Sequence, residues 1–278
     1  MSVAAPPRRP PRGRDPQALI AEARRHHRRR RLRLLLLALA PLIAGAGAYG
    51  ALGNGNSPFG LGDGSSAAAP HYRAVVLLVD VSGSMQATDV KPTRLDATVT
   101  ALERFVQQLP TRIAVGVVSF STQAKVVVVP THDRARVLGG LRSLGPVSGT
   151  ALGDGLGTAV SMAEQALRRE GIRHVEGQDV PAAIVLESDG AQNRGTLTPL
   201  AAARRAKADG IRVDGIALGT PRGAVQFGYG RFENSIPVPP DPKTVDRIAQ
   251  VTGGQVFTAR DAASLEAIFG RLGRQIGA

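Results

Sequence analysis

The feature that most limits what this chain can fold into is Ala74-Val75-Val76-Leu77-Leu78-Val79 running straight into Asp80-Val81-Ser82-Gly83-Ser84. Six apolar residues without polar alternation fit a strand covered on both faces, as in the parallel sheet of an α/β domain. The carboxylate and the two hydroxyls then fall at the strand's carboxyl end. In open α/β sheets, ligands bind in the crevice outside those ends, where neighbouring connections leave in opposite directions.

Further runs rich in β-branched residues predict strands over Tyr72–Asp80, Arg112–Phe120, Ala124–Val129, Ala182–Ser188, Ile211–Leu218 and Gln255–Thr258. Only four residues separate Phe120 from Lys125. That is too short for a helical crossover, so this pair is expected to be an antiparallel hairpin at one sheet edge. Leu95, Val99, Leu102, Val106 and Leu109 recur at helical steps across Pro92–Leu109, with Pro92 suited to a first helical position. Helices are also expected over Ala151–Arg169, Leu197–Asp209, Pro242–Thr252 and Ala262–Gln275, the fourth of the five ended by Gly253-Gly254. Pro221–Asp241 is long for a connection and reads equally as a recognition loop or a small hairpin packed on the sheet.

The net charge of +13 does not make the chain a nucleic-acid binder, because residues 1–33 hold eleven Arg against Asp15 and Glu22 and so carry +9 of it. The remaining +4 is too mild for a phosphate-neutralising stripe. Residues 34–52 carry no charge and are long enough to cross a hydrocarbon core. Arg30, Arg31 and Arg33 abut that stretch, so the positive-inside rule keeps the basic tail cytoplasmic and places everything after Leu52 outside. A cleaved signal peptide, ending in Ala44-Gly45-Ala46 or Ala46-Gly47-Ala48, is the competing reading, and it too exports the rest of the chain. Residues 53–70 have the Gly/Ser/Pro composition of a flexible spacer. The folded domain is expected over residues 71–278.

No cysteine occurs, which excludes disulfides, thiolate zinc sites and cysteine nucleophiles. Asp80, Ser82 and Ser84 alternate along a tight loop, and Gly83 offers the freedom to converge them. Gly149-Thr150-Ala151 at a helix start and Leu186-Glu187-Ser188-Asp189-Gly190 at another strand's end can complete a shell of five oxygens. Hard oxygen donors with little net charge suit magnesium, whereas zinc prefers nitrogen or sulfur. Singly, each element has an ordinary reading as a cap or turn.

Together these stretches closely resemble the von Willebrand factor type A domain with its metal-ion-dependent adhesion site: D-x-S-x-S, then Thr, then Asp-Gly. The resemblance spans about residues 72–272. It implies a doubly wound, mostly parallel six-stranded sheet flanked by helices, in order 3-2-1-4-5-6, with one antiparallel edge strand. Ser82, Ser84 and Thr150 would touch the ion directly, and Asp80 and Asp189 would hold its waters. Mg2+ is the expected ion, with Mn2+ or Ca2+ as substitutes. Met85, residues 89–94, Asp189-Gly190-Ala191-Gln192-Asn193 and Thr252-Gly253-Gly254 are similar to bacterial membrane-anchored members of the BatA type, encoded beside MoxR ATPases. The partners this implies are a MoxR-type ATPase system or other such domains. Those ATPases are cytoplasmic, whereas the charge pattern puts this domain on the other side. Glu187 departs from the family's usual apolar residue, and either adds charge near the metal or turns to solvent. No second apolar span follows, so a single anchor is expected. Asp89 and Asn193 read either as loop caps or as supports of the metal loops.

Catalysis has little to stand on. His26, His27, His71, His132 and His174 form no recognisable triad or metalloprotease setting, and no P-loop is present. Gly153-x-Gly155-x-Gly157 lacks phosphate-cradle spacing and reads as close helix packing. The expected role is a membrane-tethered module whose cation captures an Asp or Glu of a protein partner. A scaffold with a structural ion and a metal-dependent hydrolase are the alternatives.

Overall fold

The computed structural model describes residues 72–175, 178–189, 191–227 and 234–278. The expected tail, apolar span and spacer lie outside them. Among the described residues no helix is long and apolar enough to cross a membrane.

The chain order is β1 (Ala74–Asp80), α1 (Arg94–Gln108), β2 (Ala114–Phe120), β3 (Ala124–Thr131), α2 (Arg134–Arg142), α3 (Leu152–Arg169) and β4 (Ala182–Ser188). It continues with α4 (Pro199–Ala208), β5 (Arg212–Leu218), β6 (Ala224–Phe227), β7 (Asn234–Pro237), α5 (Pro242–Thr252), β8 (Val256–Ala259) and α6 (Ala262–Gly277). Six strands form one sheet in the order β3-β2-β1-β4-β5-β8, which is the expected 3-2-1-4-5-6 once the small hairpin is set aside. All pairings in it are parallel except β2 with β3, so β3 is the antiparallel edge.

β1, β2 and β4 are buried along their whole length, and this is why their sequences read as unbroken apolar runs. Val75, Leu77 and Val79 pack with Leu102 and Phe105 of α1, Val137 and Leu141 of α2, and Phe269 of α6. Ala74, Val76 and Leu78 face the other way, onto Leu156 and Val160 of α3, Ala203 of α4 and Ile248 of α5. The result is three layers with the sheet in the middle. The connections after β1 and β4 run on opposite faces, so the crevice between the ends of these paired strands is the sheet's switch point.

Two details differ from the sequence reading. The first helix starts at Arg94, capped by the Thr93 side chain, and Pro92 precedes it. α2 was not expected from the sequence: it buries only Val137 and Leu141, and its capping residue is Asp133. Of the two readings of Pro221–Asp241, the hairpin holds: β6 and β7 pair antiparallel. The glycine series of α3 does serve close packing, since a Cβ on Gly155 would stand 2.8 Å from that of Phe120.

Candidate metal centre

β1 ends at Asp80 and the chain passes into a single 3-10 turn, Gly83–Gln86. The turn does not depend on Gly83, which lacks a positive φ and has room for a Cβ. What shapes it is Asp80: its Oδ1 accepts the Ser82 amide at 2.8 Å, and its Oδ2 accepts the Ser188 hydroxyl at 2.7 Å. The Ser82 and Ser84 hydroxyls stand 2.9 Å apart, and Ser84 donates to Asp189 Oδ1 at 2.7 Å. Four of the five expected donors, from two strand ends, therefore form one hydrogen-bonded chain.

Thr150 arrives from the third stretch, buried just ahead of α3. Its amide donates to Asn193 Oδ1 at 3.0 Å, and its carbonyl accepts the amides of Asn193 and Arg194. On the other side the Ala151 amide donates to Ser121 O at 2.6 Å. The segment is thus pinned between the β2 end and the loop after Asp189, although the Thr150 hydroxyl makes no hydrogen bond to the other four donors. Asn193 thus holds the Thr150 loop to the loop after Asp189, as does Gln192, whose Oε1 accepts the Gly153 amide at 2.8 Å.

Arg94 is the residue that sequence reasoning missed. Its fully buried guanidinium donates from Nη1 to Asp189 Oδ2 at 2.6 Å and forks onto Asp89 through Nε at 2.9 Å and Nη2 at 2.8 Å. Nη2 also reaches Val238 O at 3.0 Å, and Asp89 accepts the Thr220 amide at 2.7 Å. Asp89 therefore supports the site through Arg94. Gly219, at φ +118°, approaches so closely that a Cβ there would lie 2.6 Å from Arg94 Cζ. One signal was available in the sequence: a cation in the first turn of a helix opposes the helix dipole and needs a specific partner.

Burial pushes the Asp80 carboxyl up to about 7, and the neighbouring Asp189 charge adds to it against the bonds from Ser82 and Ser188. Burial also raises Asp189, outweighing Arg94 and Ser84. At Asp89 burial works against the charge, but bonds from Arg94 and Thr220 outweigh it and hold the carboxyl at about 2. Glu187 does not turn to solvent: it is 1% exposed, and neither carboxyl oxygen has a hydrogen-bond partner among the described residues. Burial, then the Asp80 and Asp189 charges, raise its carboxyl well above the ordinary value, against the Arg94 charge and the Thr98 hydroxyl.

Among the described residues no group of three or more His, Asp or Glu stands in a metal-binding arrangement. An ion here would rely on hydroxyls beside two carboxylates. That donor set fits a hard divalent cation.

Residues 75–192 match the von Willebrand factor type A domain. A UPF0353 protein of Mycolicibacterium paratuberculosis is 43% identical over 218 residues, which are 75% of this chain and 62% of that protein. A UPF0353 protein of Mycobacterium tuberculosis is 37% identical over 219 residues, with the same coverage. The chain thus spans about three fifths of these curated relatives. Among solved structures, BatB from Bacteroides thetaiotaomicron is similar at a TM-score of 0.57 and 23% identity, over 74% of this chain and 99% of that one. An aerotolerance-related membrane protein from Bacteroides fragilis is similar at 0.57 and 24%, over 73% and 98%. A von Willebrand factor type A protein from Catenulispora acidiphila is similar at 0.56 and 21%, over 74% and 43%. These likenesses establish the fold.

Proposed function

From the premise that this chain carries a von Willebrand factor type A domain, we propose that it is a non-enzymatic, membrane-tethered binding module that captures a partner's carboxylate through a bound divalent cation. The observation that carries this reading is the convergence of Asp80, Ser82, Ser84 and Asp189 in one hydrogen-bonded chain, with Thr150 pinned alongside. These five residues would hold Mg2+, or Mn2+ or Ca2+ in its place. Bound there, the ion supplies a Lewis-acid position that an Asp or Glu side chain of the partner can occupy.

The chain's own residues account for that preference. Three of the five donors are neutral hydroxyls and the two carboxylates no more than balance a divalent charge, so the donor set adds no excess negative charge to repel an incoming anion. Arg94 engages Asp189 Oδ2, Ser188 engages Asp80 Oδ2, and Asn193 fixes the Thr150 backbone, so the donors are oriented before anything binds. In our reading the basic residues 1–33 stay cytoplasmic and residues 34–52 tether the domain outside. The partner is a protein of a membrane or envelope complex, such as a MoxR-linked assembly or another domain of this fold.

Calorimetric titration of the purified chain with MgCl2, then of the Mg2+-loaded chain with an Asp-containing peptide, tests the binding role. Heat in both steps, with both lost in Asp80→Ala at an unchanged metal-free melting temperature, supports capture. Absence of Mg2+ heat refutes it, and collapse of the variant's fold assigns Asp80 to structure. Protease shaving of intact cells tests the topology: cleavage within residues 71–278 is expected, and protection contradicts it.

A further inference from the structure

We propose that a second contact surface lies in the cleft beside the metal centre, between the ends of β2 and β3 and the segment 143–147. Its occupant is an apolar side chain that follows the captured carboxylate and is itself followed by a second acid. The inference rests on the carboxylate capture proposed above and assigns the chemistry of the captured segment.

The cleft measures about 340 Å³, enough for one large side chain. Val81 forms one wall; it stands between Asp80 and Ser82, and its carbonyl accepts the Val147 amide at 2.7 Å. The cleft therefore opens one residue from two of the donors. Val127, Leu144 and Pro146 add apolar wall, and Val147, 51% exposed, stands at the rim. Water-exposed apolar surface of this kind beside an anion site offers burial to a ligand that brings both groups.

Charge argues for the acid. Lys125 lines the cleft opposite Ser119 of β2, is exposed, and joins no ion pair among the described residues. Lys91 after β1, Arg194 after β4 and Arg222 after β5, all beyond the carboxyl ends of their strands, are likewise exposed and join no ion pair among the described residues. Arg194 lies over the Thr150 segment, its Cγ 3.1 Å from where a Cβ of Gly149 would be. The acids around the site have partners of their own: Asp89 and Asp189 are engaged by Arg94, Asp241 by the Thr244 hydroxyl, and Asp154, at the surface, by the amides of Thr196 and Leu197. Cations without partners beside acids that already have them make a field that favours an acidic segment.

The test uses fluorescein-labelled peptides containing Asp-Leu-Glu, Asp-Ser-Glu or Asp-Leu-Gln, with anisotropy read on the full chain in Mg2+ and in chelator. Gly145→Tyr blocks the cleft without strain, since a Cβ on Gly145 meets nothing within 4 Å and its φ is not positive. Lys125→Glu reverses the charge on an exposed side chain. Asp-Leu-Glu should bind about tenfold tighter than Asp-Ser-Glu, from burial of the leucine. That preference should vanish in Gly145→Tyr, and the preference for Glu over Gln should vanish in Lys125→Glu, with Mg2+ binding unchanged in both variants. Equal affinity for the three peptides, or preferences that survive both variants, overturns the cleft assignment while leaving carboxylate capture standing. Failure of every peptide to bind a chain that binds Mg2+ overturns capture itself, and the cleft with it.

Discussion

Cation binding at this site should be tied to pH through Asp80. The carboxyl is fully buried and beside Asp189, and it sits at about 7 rather than near 4. A cation needs the carboxylate, so binding must displace the proton held there. At pH 6 roughly a tenth of the molecules have Asp80 ionised and at pH 8 roughly nine tenths, which weakens apparent Mg2+ affinity about tenfold between them, or about 1.4 kcal/mol. The same shift sets the stability of the ion-free domain. Because the folded-state value lies above the unfolded one, the folded chain holds the extra proton between about pH 4 and 7, and stability falls as pH rises through that window. The full loss, about 4 kcal/mol at three pKa units, is reached above pH 7 and is offset when Mg2+ binds. Calorimetry in two buffers of different ionisation enthalpy reads both quantities. About one proton should be released per Mg2+ at pH 6 and about a tenth of one at pH 8. A dissociation constant that stays flat over this range, with heats independent of buffer, would refute the reasoning.

Three substitutions probe the rest of the site. Asp80→Asn should abolish the Mg2+-induced rise in melting temperature while raising the metal-free melting temperature at pH 8, both read by differential scanning calorimetry; a retained Mg2+ shift contradicts Asp80 as a donor. Arg94→Met leaves Asp189 and Asp89 without their buried countercharge and should cost about 3–5 kcal/mol in urea denaturation at pH 8. A loss below about 1 kcal/mol removes Arg94 from the account. Glu187→Leu replaces a buried carboxyl that lies beside the Thr98 hydroxyl without a hydrogen bond of good geometry, and should stabilise the metal-free chain by about 1–3 kcal/mol; destabilisation in the same denaturation assay would assign Glu187 a bond to Thr98.

Most of the sheet was legible because β1, β2 and β4 are buried on both faces, leaving long apolar runs that nothing but a central strand accommodates. α2 was not legible, since it buries only two side chains and carries Gly139-Gly140 in its interior, where Gly140 presses against Val128. β7 is exposed throughout, so neither alternation nor a run marks it. In the site, Asp80, Ser82, Ser84, Thr150 and Asp189 could be read as strand-end and helix-start residues. Their support could not: Arg94 meets Asp189 across 95 positions of sequence and Ser188 meets Asp80 across 108, contacts that only the folded sheet creates. Glu187 stood out as a departure in the sequence, but its burial follows from its place on β4 beside Val79 of β1.

Whether the five side chains hold a cation is read from a crystal grown with MnCl2 and measured with anomalous scattering. One strong peak is expected in the crevice between the ends of β1 and β4, with Ser82, Ser84 and Thr150 turned toward it and Asp80 and Asp189 beside it. Well-ordered density in which those three hydroxyls point apart, with no anomalous peak between them, would contradict it.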